Sequence, residues 1–242
     1  FDIPIPDDKL ADIPYIKFEE DSPEYKYMLD HRMALGGFLP HRRTKADPLP
    51  IPPLEAFGAL LKASGEGREL STTMAVVRMM NTLLKDKQIG RRVVPIVPDE
   101  SRTFGMEGMF RQYGIWNQQG QNYVPEDHDQ LMFYKESKTG QVLQEGINEA
   151  GGLADWIAAG TAYSVHGVQM IPFYLLYSMF GFQRTMDLCW AAGDQRTRGF
   201  LIGGTAGRTT LNGEGLQHED GHSLLLANMV PNCVSYDPTF QF

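Results

Sequence analysis

Residues 203–223, GGTAGRTTLNGEGLQHEDGHS, hold six glycines, two histidines and four charged side chains. Glycine adds nothing to a core and costs about 0.5–1 kcal/mol inside a helix or strand. Such density marks a backbone shaped around something other than its own packing. The stretch follows directly on Gly199-Phe200-Leu201-Ile202, an apolar run that reads as a buried strand. A buried strand that opens into polar residues points to an α/β fold with a site at the strand's C-terminal end.

The rest of the chain fits that class. Residues 93–97, 170–174, 200–202 and 233–236 read as strands. Helices are expected at 26–35, at 54–63, after Ser71 or Thr72, at 146–159, at 180–191 and at 223–229. The second of the long ones carries Val76, Val77, Met80, Leu83 and Leu84 at helical spacing. Strands alternating with helices predict a mostly parallel sheet with helices on both faces. Residues 1–53 are charged and studded with proline, which favours extended backbone, so they read as an arm or linker before a domain at 54–242. Residues 116–129 are polar and read as a long loop.

The net charge of −8 argues against nucleic acid and anionic membranes as partners. The longest apolar run, residues 170–182, is interrupted by Pro172 and falls short of the roughly 18 residues needed to span a bilayer. Two cysteines, Cys189 and Cys233, make no disulfide framework, and a reducing, cytoplasmic location is the expectation. The chain opens at Phe1 without Met and stops at Phe242 after a strand-like segment, from which a piece of a larger polypeptide is expected.

Several residues could carry chemistry. His218-Glu219-Asp220-Gly221-His222 spells H-E-x-x-H, a zinc-hydrolase signature, but the motif needs a helix and a third ligand, and glycines crowd this one. Asp99-Glu100 ends a strand and is equally a solvated pair or a catalytic one. Glu149, set among Ile147, Ala150, Gly151 and Gly152, is either a first-turn carboxylate favoured by the helix dipole or a carboxylate sharing a proton with a planar heterocycle. Tyr174, Tyr177 and Phe180 are core residues or the wall of a flat-ring pocket.

Residues 94–108, 145–149, 177–184 and 212–222 run in one order over nearly the whole chain, and together they resemble the homodimeric, bacterial pyruvate dehydrogenase decarboxylating component. The resemblance implies the thiamine diphosphate-binding fold, and within it the middle, pyrimidine-binding domain. It implies thiamine diphosphate as cofactor, with Mg²⁺ held outside this chain. The Gly-Asp-Gly motif that binds the diphosphate is missing, and Gly193-Asp194-Gln195 is the nearest string. Carried over residue by residue, Glu149 hydrogen-bonds the pyrimidine nitrogen, Tyr177 and Phe180 flank the ring, and Asp99 and Glu100 line the cofactor pocket. Glu214 and His218 face the substrate, His218 as proton donor or as a partner in acetyl transfer. The implied reaction is oxidative decarboxylation of pyruvate, with acetyl transfer to the lipoyl domain of a dihydrolipoyl acetyltransferase in a multienzyme complex. A homodimer is implied, because each site draws on two subunits. The alternatives are a dimerisation or docking module that is inactive alone, and a zinc hydrolase using His218 and His222.

Overall fold

Ser22 starts the first helix: its hydroxyl accepts the N–H of Tyr25 at 3.2 Å, and Pro23 takes the first helical position, where no donor is required. This helix, α1 (Pro23–Ala34), buries none of its residues. It belongs to the smaller of two compact units, Phe1–Arg42, and the larger, Arg43–Phe242, contains the sheet. The computed structural model describes residues 5–38, 42–98, 101–126, 128–129, 134–206 and 215–241. Residues 43–53 cluster with the larger unit: the Arg43 N–H donates to Ser164 O at 2.9 Å, and Gln169 donates to Asp47 O at 2.5 Å.

In the larger unit, Ser71 caps α2 (Thr72–Lys85) by accepting the Met74 N–H at 3.1 Å. Then come β1 (Val93–Val97), α3 (Glu107–Tyr113), β2 (Ile115–Trp116), β3 (Glu136–Ser137) and β4 (Leu143–Gln144). They are followed by α4 (Glu149–Val165), β5 (Ile171–Tyr177), α5 (Gly181–Asp194), β6 (Phe200–Gly204) and α6 (Ser223–Met229). The main sheet has the order β4-β1-β5-β6, and every pair in it is parallel. Ile96 lies opposite both Leu143 and Tyr174, and Tyr174 lies opposite Leu201. Strands β2 and β3 form a separate parallel pair.

Strand β5, IPFYLLY, shows why the sheet is covered on both sides. Its side chains alternate between faces, yet nearly all are apolar and buried. Phe173, Leu175 and Tyr177 join Val77, Met80 and Phe110 in one core, under α2 and α3. Tyr174 and Leu176 join Leu153, Trp156 and Cys189 in the other, under α4 and α5. Helix α4 comes very close to the sheet at Gly152, where a Cβ would fall 2.6 Å from the Tyr174 ring. The expected α/β class, parallel and helix-covered, is the observed one.

Two expected elements are absent, and four others, β4, α3, β2 and β3, stand outside the expected set. Residues 233–236 form no strand; Val234 and Tyr236 are exposed, while Cys233 packs on the second core. The apolar alternation there reflects one partly buried side chain, not a ladder. The fourth strand is β4, on the opposite edge, and its two residues are too few to leave a periodicity. Instead of a helix over 54–63 there is a 3-10 turn at Leu54–Phe57. Helix α3 and the β2–β3 pair were also missed, being short and, for α3, without a capping side chain.

Candidate active site

Asn148 fixes where α4 begins. Its side-chain oxygen accepts the Gly151 N–H at 3.1 Å, which makes Glu149 the first helical residue. The helix dipole favours a carboxylate there. Because α4 follows β4, Glu149 stands at the C-terminal edge of the sheet. Its side chain is only 12% exposed, and Oε1 accepts from Arg184 Nη1 at 2.6 Å. Arg184 comes from the first turns of α5, and its guanidinium also lies 4.0 Å from the centre of the Phe180 ring.

Phe180 sits just before α5, and Tyr177 ends β5. Their rings meet edge to face at 6.2 Å. His218 closes the group: its ring is 5.4 Å from Tyr177 and 5.1 Å from Phe180, steeply tilted to both. A chain of direct contacts thus runs from Glu149 through Arg184 and Phe180 to Tyr177 and His218. Residues separated by up to 69 positions in sequence converge because two strands and two helix starts share one sheet edge.

The backbone near His218 is built from polar contacts. Leu216–His218 is one 3-10 turn, and Glu219 is extended. Asp220 is buried, and its Oδ1 accepts the N–H groups of His222 at 2.9 Å and Ser223 at 3.1 Å, so it starts α6. Burial alone would push the Asp220 carboxyl up, but hydrogen bonds from Ser223 and the His222 and Ser223 backbone hold it below its ordinary value. A bridge between Ala206 and Asp220 ties this segment to the end of β6. Tyr174 belongs to the interior and not to the ring wall, with 1% exposure; burial, then the charges of Glu149 and Glu145, push its hydroxyl up.

The zinc reading of His218 and His222 does not hold. The H-E-x-x-H string is not helical, and His222 turns its Nδ1 to Asp220 at 3.3 Å. Among the described residues no group of three His, Cys, Asp or Glu side chains is placed to hold a metal. Asp99, Glu100 and Glu214 lie outside the described residues. Gly193-Asp194 ends α5, about 20 Å along the helix from its start beside the site. Arg184 is the site residue that sequence reasoning passed over. Its signal was the spacing Tyr177, Phe180, Arg184, which puts a cation one helical turn beyond an aromatic.

The long loop is fastened at its C-terminal flank by Glu136. Its carboxylate accepts from Asn117 at 2.7 Å and from the hydroxyls of Tyr123 and Tyr134 at 2.9 Å each. Glu136→Ala leaves those donors without their acceptor. The expected cost is about 1–3 kcal/mol of local stability, read as faster proteolytic nicking between residues 117 and 135. An unchanged cleavage pattern would count against the clasp.

The family model described as pyruvate dehydrogenase E1 component middle domain matches residues 49–242. The chain is 74% identical over 242 residues to a Cupriavidus necator protein named pyruvate dehydrogenase E1 component. Proteins of the same name from Pseudomonas aeruginosa and Escherichia coli K12 are 64% and 55% identical over 242 and 243 residues. Each alignment takes in 100% of this chain but 27% of the relative, so the chain spans about a quarter of the length of these relatives.

Proposed function

Because this chain belongs to the family of pyruvate dehydrogenase E1 component middle domains, we propose that it supplies the aminopyrimidine half of a thiamine diphosphate site. In this reading the full-length protein oxidatively decarboxylates pyruvate and passes the acetyl group to a lipoyl domain of dihydrolipoyl acetyltransferase. The observation that carries the reading is the recessed carboxylate of Glu149 beside a wall of aromatic rings at the sheet edge. A flat, weakly basic heterocycle needs apolar faces for its ring and a carboxylate for its nitrogen, and the residues present fit that need. Thiamine diphosphate, when bound, supplies the electron sink that a 2-oxo acid needs to lose CO₂.

The chain's own residues do the rest. Arg184 engages Glu149 Oε1, which leaves Oε2 as the oxygen for a ring nitrogen. There Glu149 holds and returns a proton. Tyr177 and Phe180 flank the ring and exclude water. His218, with an edge to both aromatics, stands where it can serve the reacting substrate. Mg²⁺ and the diphosphate are assigned to another part of the full-length protein.

A second copy of the chain is the expected dimer partner. Helix α4 carries only two charged side chains, Glu149 and Asp155, and Ala150, Ala154, Ala158 and Val165 along it are exposed. A helix of that kind is covered in its working assembly. No helix among the described residues is long and apolar enough to cross a membrane. Free thiols at Cys189 and Cys233 suit the cytoplasm, and the proposed substrate, pyruvate, puts the step after glycolysis and before acetyl-CoA formation.

His218→Ala in the full-length protein tests the substrate-side role. Release of CO₂ to an artificial electron acceptor is expected to continue, while acetyl transfer to the lipoyl domain slows by about 10-fold or more. An unchanged rate with the lipoyl acceptor would remove His218 from that step.

A further inference from the structure

Among the described residues Asp220 is the one buried charged side chain, at 7% exposure. Burying a carboxylate is costly unless donors replace the water it gives up. Its Oδ1 receives such donors: the N–H of His222 at 2.9 Å and of Ser223 at 3.1 Å, with His222 Nδ1 at 3.3 Å. Capping a seven-residue helix such as α6 requires no burial, since an exposed aspartate would serve. The start of α6 does not by itself account for where Asp220 stands.

Asp220 is two residues from His218. Glu219 between them is extended, and two residues span at most about 7 Å, so a shift of one end moves the other. Asp220 also bridges to Ala206, just beyond β6. Ser223, whose N–H Asp220 accepts, donates its hydroxyl to the Ser178 carbonyl at 3.0 Å. The Ser178 N–H in turn donates to the Gly204 carbonyl at 3.0 Å. Ser178 lies in the tight turn that carries both rings of the wall, closed by the Phe180 N–H donating to Tyr177 O at 3.0 Å. Packing there is close: a Cβ added to Gly203 would fall 2.8 Å from the Ser178 Cβ.

These contacts close on themselves. They run from Tyr177 and Phe180 to His218 through ring edges, and return from Asp220 through Ser223 to Ser178. Ring edges attract without fixing one geometry, whereas hydrogen bonds are directional. The hydrogen-bonded half therefore sets where the His218 ring comes to rest.

We infer that Asp220, with Ser223, is a positioning residue for His218, holding its ring against the Tyr177–Phe180 turn. The consequence for catalysis rests on the reading of His218 as the group that serves the substrate; the placement of the ring does not.

Two measurements on the full-length protein test this. The first is the rate at which diethyl pyrocarbonate modifies His218, located by mass spectrometry. Asp220→Ala removes the acceptor and should make His218 react about tenfold faster, because the segment opens more often. Asp220→Asn keeps an oxygen acceptor in the same place and should react at close to the wild-type rate. Ser223→Ala cuts only the bond to Ser178, so its rate should lie between those of wild type and Asp220→Ala, and it carries the test if Asp220→Ala does not fold. Wild-type reactivity in every alanine variant that folds, or equal reactivity in Asp220→Asn and Asp220→Ala, overturns the positioning role. Wild-type reactivity in Ser223→Ala alone overturns the route through Ser223.

The second measurement is acetyl transfer to the lipoyl domain. Asp220→Ala should slow it by about tenfold, the scale of a misplaced group. The Asp220→Ala/His218→Ala double variant should be no slower than His218→Ala, because one residue acts through the other. A further multiplicative loss in the double variant would show an independent or general structural role and overturn the proposal. If His218 reactivity changes as expected while His218→Ala transfers at the wild-type rate, the positioning stands and the substrate-side reading of His218 falls.

Discussion

Replacing Glu149 by Ala or Gln in the full-length protein is expected to cut pyruvate turnover by about 10²-fold or more, the scale of a lost proton-transfer partner. Folding should survive. Asn148 still caps α4 in either variant, and Arg184, with 45% of its side chain exposed, returns to water when its partner is removed. The two variants separate two roles. Gln keeps a hydrogen-bonding group of nearly the same shape at the ring nitrogen, but it cannot give up or reclaim a proton. If positioning alone mattered, Gln would work and Ala would not; proton exchange requires both to fail. Steady-state turnover with saturating cofactor, alongside circular dichroism to check the fold, decides the matter. Near-normal turnover by Glu149→Gln would remove the carboxylate from the chemistry.

The 242 residues purified alone should release no CO₂ from pyruvate above background, even with thiamine diphosphate and Mg²⁺ in excess. The reason is charge. A diphosphate is held by a metal ion and by oriented donors, and among the described residues no carboxylate and histidine group is placed to hold that metal. The nearest match to a diphosphate motif, Gly193-Asp194, lies at the wrong end of α5, about 20 Å from the helix start that carries Arg184. A pocket wall for the ring without a seat for the phosphates forfeits most of the binding energy and all of the alignment. Measurable turnover by the isolated chain would show that both halves of the site are present here, and the division of labour would have to be abandoned.

Some of this candidate site is legible in the sequence. Glu149 stood out because small neighbours left it room and the helix pattern put it in a first turn. Tyr177 and Phe180 stood out as an aromatic pair past a buried strand. The partners of these residues were not legible. Arg184 looks like any surface cation, and only the start of α5 against the start of α4 brings it within 2.6 Å of Glu149.

From the sequence by itself came the α/β class, the identity of the long strands and helices, and the expectation that chemistry gathers where the strands end. Those follow from the spacing of apolar side chains and from glycine density, which are local and additive. The tertiary structure alone decided that β4 and not residues 233–236 completes the sheet, that the H-E-x-x-H string is not a metal grip, and that Glu149 and His218 belong to one chain of contacts. Those depend on which strand lies beside which. That choice is made by packing both faces of a single sheet at once, and no window of sequence contains it.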